Sequence, residues 1–534
     1  MKQKLSVYLV ENKETPLEYI INTEKVHESI YIESDANMEL ILYSVKGDPH
    51  LPPWADFFIR SVENIPDKFF GDSSSSGAIL VVSRNDNVFL ITFGTGHLLV
   101  NSNSVVKNFG LKVTLNSIEV DKIKSIDKGN YNELSLLTRN QCSKDADINV
   151  LKVDAELDII STMTGSCREE IFGSKITGRA ALYIHPCVDI NNLSEILDKS
   201  IEKYKEKLPY EFEWIENIYP ADNECTAMLD ELLEENLKSE NLEDIWMADP
   251  EIIDHESIVA YGFEQKRNSP AYPSLCPTHL ISLLKEKKPV DYIKYLKDKS
   301  IFALDGNYHA HKKWPIYDFI YTEIEDNGQT YILRSGTWYS IKQSFMSSVD
   351  SELEGLIDSS KEFGFPLYSF DKEEDYIKYA CSKDSTLTLM DQVFIYHGGS
   401  GNKIEFCDVI KDENKFIHIK YYRGSQSMSH LFAQGAVCAE LFLGDKEFRR
   451  KLNVKLPEHL KLSNTNERPP GKYELVYAIA ANKKIPSELP IFAKINLKNF
   501  RKRLLTLGYD VKLCKIDIDA NIYKKKSYRG TKDK

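Results

Sequence analysis

The nine cysteines of this 534-residue chain include no C-x-x-C pair. That spacing excludes a C-x-x-C zinc site and a paired disulfide framework, leaving small buried side chains in a reducing compartment. Apolar runs of the roughly eighteen residues that a membrane helix needs are also lacking. Glu11-Asn12-Lys13-Glu14 arrives too early for a signal-peptide core, so a cytoplasmic protein with no membrane partner is expected. Net positive charge is missing too. At −13 overall, the surface as a whole is no coat for nucleic acid. Neither G-x-G-x-x-G nor a P-loop lysine occurs, and Phe93-Gly94-Thr95-Gly96-His97 reads as turn glycines. His309-x-His311 beside Asp305 lacks the clustered partners of a metal site and reads as turn chemistry.

What is present describes a folded, multidomain α/β chain of the mixed α+β kind. Apolar residues make up 42%, charged residues 28% and aromatics 11%, and the length suits two to four domains. Residues 1–190 read as a strand-rich N-terminal α/β domain. A hairpin is expected around Asn85-Asp86-Asn87, a helix over 154–164 and a strand over 178–184. Residues 191–370 read as a helical and mixed middle domain. Its aromatics Trp314, Tyr317, Phe319, Tyr321, Tyr331 and Trp338 alternate with polar residues, which favours a sheet core over base stacking. Residues 371–534 read as a C-terminal α/β domain, with a mixed sheet, flanking helices and a basic tail. From 501 onward eleven Lys and Arg stand against four Asp and Glu. Arg449, Arg450, Arg501, Lys502 and Arg503 are the candidate phosphate contacts.

The most informative stretch is 404–442, IEFCDVIKDENKFIHIKYYRGSQSMSHLFAQGAVCAELF. Two apolar, β-branched runs flank Lys411-Asp412-Glu413-Asn414-Lys415 and predict a hairpin over 404–410 and 416–422. A helix follows, with Ser429 as its expected cap. Alternation places Phe416, His418, Lys420 and Tyr422 on one face of the second strand, with Asp408 near the same edge.

An acid on one strand, then acid-x-Lys on the next and a helix after it, resembles the core of the PD-(D/E)xK nuclease superfamily. That resemblance implies a restriction-endonuclease-like C-terminal sheet and Mg²⁺ held by Asp408 and Glu405. Asp408, Lys420, Glu405, His418 and Gln434 would form the catalytic group. His418 departs from the pattern, standing where a second acid is expected, and imidazole is a poorer ligand than carboxylate for Mg²⁺. Glu405, Gln434 or Glu440 could supply the missing oxygen. Glu405 has the wrong strand parity relative to Asp408 unless the strand is bulged.

Across nearly its full length the chain also resembles a bacterial family of sporadically distributed proteins. The resemblance rests on the ordered segments GAILVVSRNDNVFLITFGTGHLLV, NFGLKVTLN, LTRNQCSKDADI, TGSCREEIFGSKITGRAALYI, SHLFAQGAVCAELF and LPIFAKINLKNFRKRLLTLGYDV. It implies a place among mobile-element or anti-phage defence genes, with DNA as the expected partner. Two functions follow as expectations. One is a metal-dependent DNA endonuclease. The other is a non-catalytic nucleic-acid-binding or sensor subunit, keeping a degenerate nuclease fold and meeting a partner subunit or phage protein.

Overall fold

Leu5, Val7 and Leu9 are buried while Ser6 and Tyr8 are only half so, the period-2 signature of a strand with one face on a core. In the computed structural model this strand is the middle of a ten-stranded sheet. The structure describes residues 2–33, 37–51, 55, 59, 69–130, 136–190, 192–266, 268–306, 308–356, 358–399 and 403–522, so the end of the basic tail, 523–534, lies outside the described residues. The described chain is mixed α+β and divides into two compact units, 1–129 with 138–216, and 130–137 with 217–534.

The first unit holds the ten-stranded sheet, antiparallel from Glu28–Ile32 at one edge through to Asp158–Cys167. The expected hairpin joins Ser76–Arg84 to Asn87–Gly94, with Asn85 at φ 52° in its two-residue turn. Helix Phe109–Leu115 lies so close to the sheet that a Cβ on Gly110 would sit 2.0 Å from the Ala181 carbonyl oxygen. Only glycine permits that approach. Residues 154–164, expected as a helix, instead enter the strand Asp158–Cys167. Its Asp158-Ile159-Ile160 run is buried whole, and the β-branched pair suits the pleat better than a helix.

The second unit contains a five-stranded and a four-stranded antiparallel sheet between 218 and 341. Trp314, Tyr317, Phe319 and Trp338 lie in one core cluster there, and Tyr321 is equally buried, so these aromatics pack and do not present stacking faces. A further five-stranded sheet positions the candidate site. Its strands, Leu387–Leu389, Val409–Lys411, Lys415–Tyr421, Tyr473–Ala480 and Tyr509–Ile516, lie side by side in chain order. The second runs antiparallel to its neighbours, whereas the third, fourth and fifth are parallel. Parallel neighbours need crossovers. Helices Ser425–Gly444 and Ile491–Leu507 supply them. Helix Glu373–Lys383 covers the opposite face, packing Tyr376 and Ile377 against Ile417, Ile419 and Tyr421.

Helix Ser425–Gly444 begins earlier than expected. Gly424, at φ 102°, precedes it, and a Cβ there would come 2.8 Å from the Glu243 carbonyl oxygen. Ser429 is therefore inside the helix, where its hydroxyl accepts from Asn496 Nδ2 at 2.8 Å. It does not cap.

Candidate acidic metal centre

The first expected strand of the 404–442 hairpin is interrupted. Lys403–Glu405 pairs with Phe394–Tyr396 in a separate two-stranded ribbon, and the chain rejoins the main sheet only at Val409–Lys411. Between them Phe406 turns inward, packing against Phe416, Phe442 and Phe448. This break removes the parity conflict between Glu405 and Asp408. The two acids no longer belong to one regular strand, and their carboxylates converge.

Asp391 joins them from the turn that leaves Leu387–Leu389. The backbone amides of Met390 and Asp391 donate to the Asp408 carbonyl oxygen at 2.8 and 2.9 Å. The next residue, Gln392, takes φ 63° and donates its amide to the Glu405 carboxylate. One oxygen from each of Asp391, Glu405 and Asp408 lies within 4.8 Å of the other two. At such a separation two full charges repel by roughly 3 kcal/mol at an effective dielectric of about 20.

Few donors offset this. Asp408 accepts the Ile419 amide at 2.6 Å, yet burial, with Glu405, Glu373 and Asp391 nearby, holds its carboxyl well above the usual range. Burial, then Glu405, Glu374 and Glu373, push Asp391 up to about 6 against the opposing pull of Lys378.

Lys420 stands beside the acids. Its ammonium donates to Glu373 Oε1 at 2.8 Å, while Glu373 Oε2 accepts the Tyr421 amide at 2.8 Å. Glu373 opens the helix Glu373–Lys383, so the helix start fixes the lysine through a two-point carboxylate. Burial works to lower the Lys420 pKa, but Glu373 and then Asp408 outweigh it and the ammonium is held charged. An all-oxygen donor set with surplus negative charge suits a hard divalent cation such as Mg²⁺. Asp391, Glu405 and Asp408 are the residues that would hold it.

The remaining expected residues fall elsewhere. His418 is fully buried in the sheet, its ring 6.3 Å from that of Tyr477, and neither nitrogen has a hydrogen-bond partner among the described residues. Burial lowers its pKa to about 3, so it is neutral and no base at ordinary pH. Gln434 is half-buried, one helical turn before Cys438, whose thiol donates to the Glu405 carbonyl oxygen at 2.9 Å. Glu440 pairs with Arg503.

Arg449, expected to meet phosphate, is instead enclosed. Its guanidinium donates to the carbonyls of Phe442, Leu443 and Thr465, each at 3.0 Å, which closes the end of helix Ser425–Gly444. Arg450 is exposed and forked onto Glu447 at 2.9 and 2.8 Å. Arg501 donates to the Glu352 carbonyl at 2.8 Å, and Lys502 is exposed.

Sequence reasoning missed Asp391 and Glu373. Glu373 carries a faint signal as the first residue of the acidic turn Glu373-Glu374-Asp375 at a helix start. Asp391 carries none, because its place depends on a turn and a strand break distant in the chain. No curated protein and no solved structure matches the chain. Its resemblance across the described units is to a family model that spans residues 5–517, a family of unknown function (DUF6119), and the chain belongs to that family.

Proposed function

We propose that the protein is a metal-dependent nuclease acting on DNA in anti-phage or mobile-element defence. The observation that carries this reading is the convergence of Asp391, Glu405 and Asp408 beside Lys420. Asp408 leads into the antiparallel second strand, Lys420 lies on the third, and a helix then crosses to a parallel fourth strand. That order supports the resemblance to a PD-(D/E)xK core.

The three carboxylates would hold Mg²⁺. When bound, the ion supplies an acidified water and offsets the charge of the phosphodiester. Lys420 contributes a fixed positive charge at the point where the attacking oxygen and the scissile phosphate must meet. Glu373 keeps that ammonium aimed, so its role is positioning.

A second reading is a non-catalytic nucleic-acid-binding or sensor subunit, with a partner subunit or phage protein as its other contact. His418 favours it, because the strand that should carry a second carboxylate carries a neutral, buried imidazole. Incubation with plasmid, linear duplex, single-stranded DNA and RNA, in Mg²⁺, Mn²⁺ or EDTA, separates the two. The nuclease reading expects divalent-dependent cutting that falls by ~10³-fold or more in Asp408→Asn and Lys420→Ala, the loss of several kcal/mol of transition-state stabilisation. Equal cutting by both variants would remove it. Salt-sensitive binding without cutting would favour the second reading.

A further inference from the structure

Apart from Glu405, the ribbon of Phe394–Tyr396 and Lys403–Glu405 takes no part in the nuclease reading. Register assigns its faces. Phe394 is directly opposite Glu405, Ile395 opposite Ile404, and Tyr396 opposite Lys403. Directly paired residues share a face and alternate ones lie on the other. One face therefore carries Ile395, buried to 2%, together with Ile404, and anchors the ribbon to the domain. The other carries Glu405, Phe394, Lys403 and Tyr396. The Lys451 ammonium fixes this strand further by donating to the Tyr396 carbonyl oxygen at 2.8 Å.

The outward face is a graded surface that starts at the metal-binding carboxylate. Glu405 and Phe394 are at the end nearest the acids, with Tyr396 and Lys403 one repeat beyond. Tyr396 is 61% exposed, although an aromatic ring gains most when covered. Lys403 leans back along the ribbon, its Nζ 3.3 Å from the centre of the Phe394 ring, so a cation–π contact holds the ammonium toward the acid end. An exposed ring and a fixed ammonium, side by side and leading to a cation site, match one base and one phosphate of a polynucleotide strand. Paired bases inside a duplex have no free face for such a ring, whereas single strands do.

We infer that this ribbon binds single-stranded nucleic acid and feeds it to the acidic centre. Tyr396 is the stacking platform, Lys403 the phosphate contact and Phe394 the residue that positions Lys403. The inference rests on the nuclease reading for its direction, and the two fail separately.

The test uses the full chain in EDTA, where no cutting occurs. Fluorescence anisotropy follows a labelled single-stranded oligonucleotide and the duplex of the same sequence. Expected results are tighter binding of the single strand and a loss of about tenfold or more in Tyr396→Ala. Tyr396→Phe, which keeps the ring, should bind within about twofold of the parent, since stacking needs the π-face alone. Lys403→Gln should flatten the dependence of log K on log salt by about 0.7. Equal affinity for duplex and single strand, or a Tyr396→Ala variant that binds like the parent, would overturn the inference.

Parallel assays with Mg²⁺ keep the two readings apart. If single strands bind through Tyr396 and nothing is cut, the ribbon inference stands and the nuclease reading falls. If both substrates are cut alike and Tyr396→Ala cuts as well as the parent, the nuclease reading stands and the ribbon inference falls.

Discussion

Two carboxylate sites in the second unit, the single buried Asp230 and the cluster of half-buried Asp391 and Glu405 around buried Asp408, show opposite balances of donor and acceptor. Asp230, on helix Asn223–Lys238, accepts from the Tyr317 hydroxyl at 2.5 Å, the Trp338 indole at 3.0 Å and the Lys297 ammonium at 2.6 Å. One acid meets three donors, one of them charged. At the acidic centre Asp391, Glu405 and Asp408 converge, and the hydrogen-bond donors to their carboxylates among the described residues are the Gln392 and Ile419 amides, while the Lys420 ammonium goes to Glu373 and Lys378 acts on Asp391 through its charge. The comparison teaches that burial alone does not mark a functional acid. A matched carboxylate ties elements together, whereas a surplus of carboxylates leaves charge that a cation can neutralise.

The sharpest structural test of that difference is Asp230→Ala. Removing the shared acceptor orphans the Tyr317 hydroxyl and Trp338 indole inside a core. The cost expected is about 3–4 kcal/mol in urea unfolding, with no change when divalent ions are added. A loss below about 1 kcal/mol would put Asp230 with the acidic centre and dissolve the contrast.

The adjacent arginines on helix Lys446–Lys455 extend the same comparison to positive charge. Arg449 satisfies three carbonyl groups in the interior, and Arg449→Ala should cost about 2–3 kcal/mol. Arg450 makes an exposed pair, and Arg450→Ala should stay within about 0.5 kcal/mol. Denaturation midpoints at unchanged m-value measure both. Equal effects would mean that the enclosed guanidinium contributes no more than a surface pair.

These contrasts explain what the sequence could and could not reveal. Period-2 runs, turn residues and apolar helices made the C-terminal strands and helices legible, because those signals are local. The strand Lys415–Tyr421 matches the span expected at 416–422 to within one residue. The strand Asp158–Cys167 was misread because its start has no clean alternation: three successive residues are buried. Asp408 and Lys420 could be picked out, since residue type and strand order carry them. Glu405 carried a parity conflict that only the break at 406–408 resolves. Asp391 depends on the left-handed Gln392 and on amides that meet the Asp408 carbonyl, none of which leaves a mark in spacing. Arg449 and Arg450 are the same residue type side by side. A turn of about 100° per residue sends one inward and the other to solvent, and which is which depends on the partner elements.

An effect smaller than either buried-group loss isolates the surplus charge. Burial, then Glu405, raises the Asp391 carboxyl to about 6, against an ordinary value near 3.9 in an unfolded chain. The folded state therefore holds this proton more tightly than the unfolded state does. Stability from that proton is fully present below about pH 4 and is lost as pH rises through about 6. In EDTA the parent protein should lose stability over this window relative to Asp391→Asn, which carries no charge there. After discounting for the partial exposure of the group, the difference at pH 7.5 is on the order of 1 kcal/mol in favour of the variant. Mg²⁺ should reverse the order at pH 7.5 and do little at pH 4, where the carboxyl keeps its proton and offers a poor ligand. Thermal unfolding of both proteins at the two pH values, with EDTA or Mg²⁺, supplies the comparison. A parent protein that gains on Asp391→Asn between pH 4 and 7.5 in EDTA would mean that the three acids are already matched, as Asp230 is, and that no cation is needed to balance them.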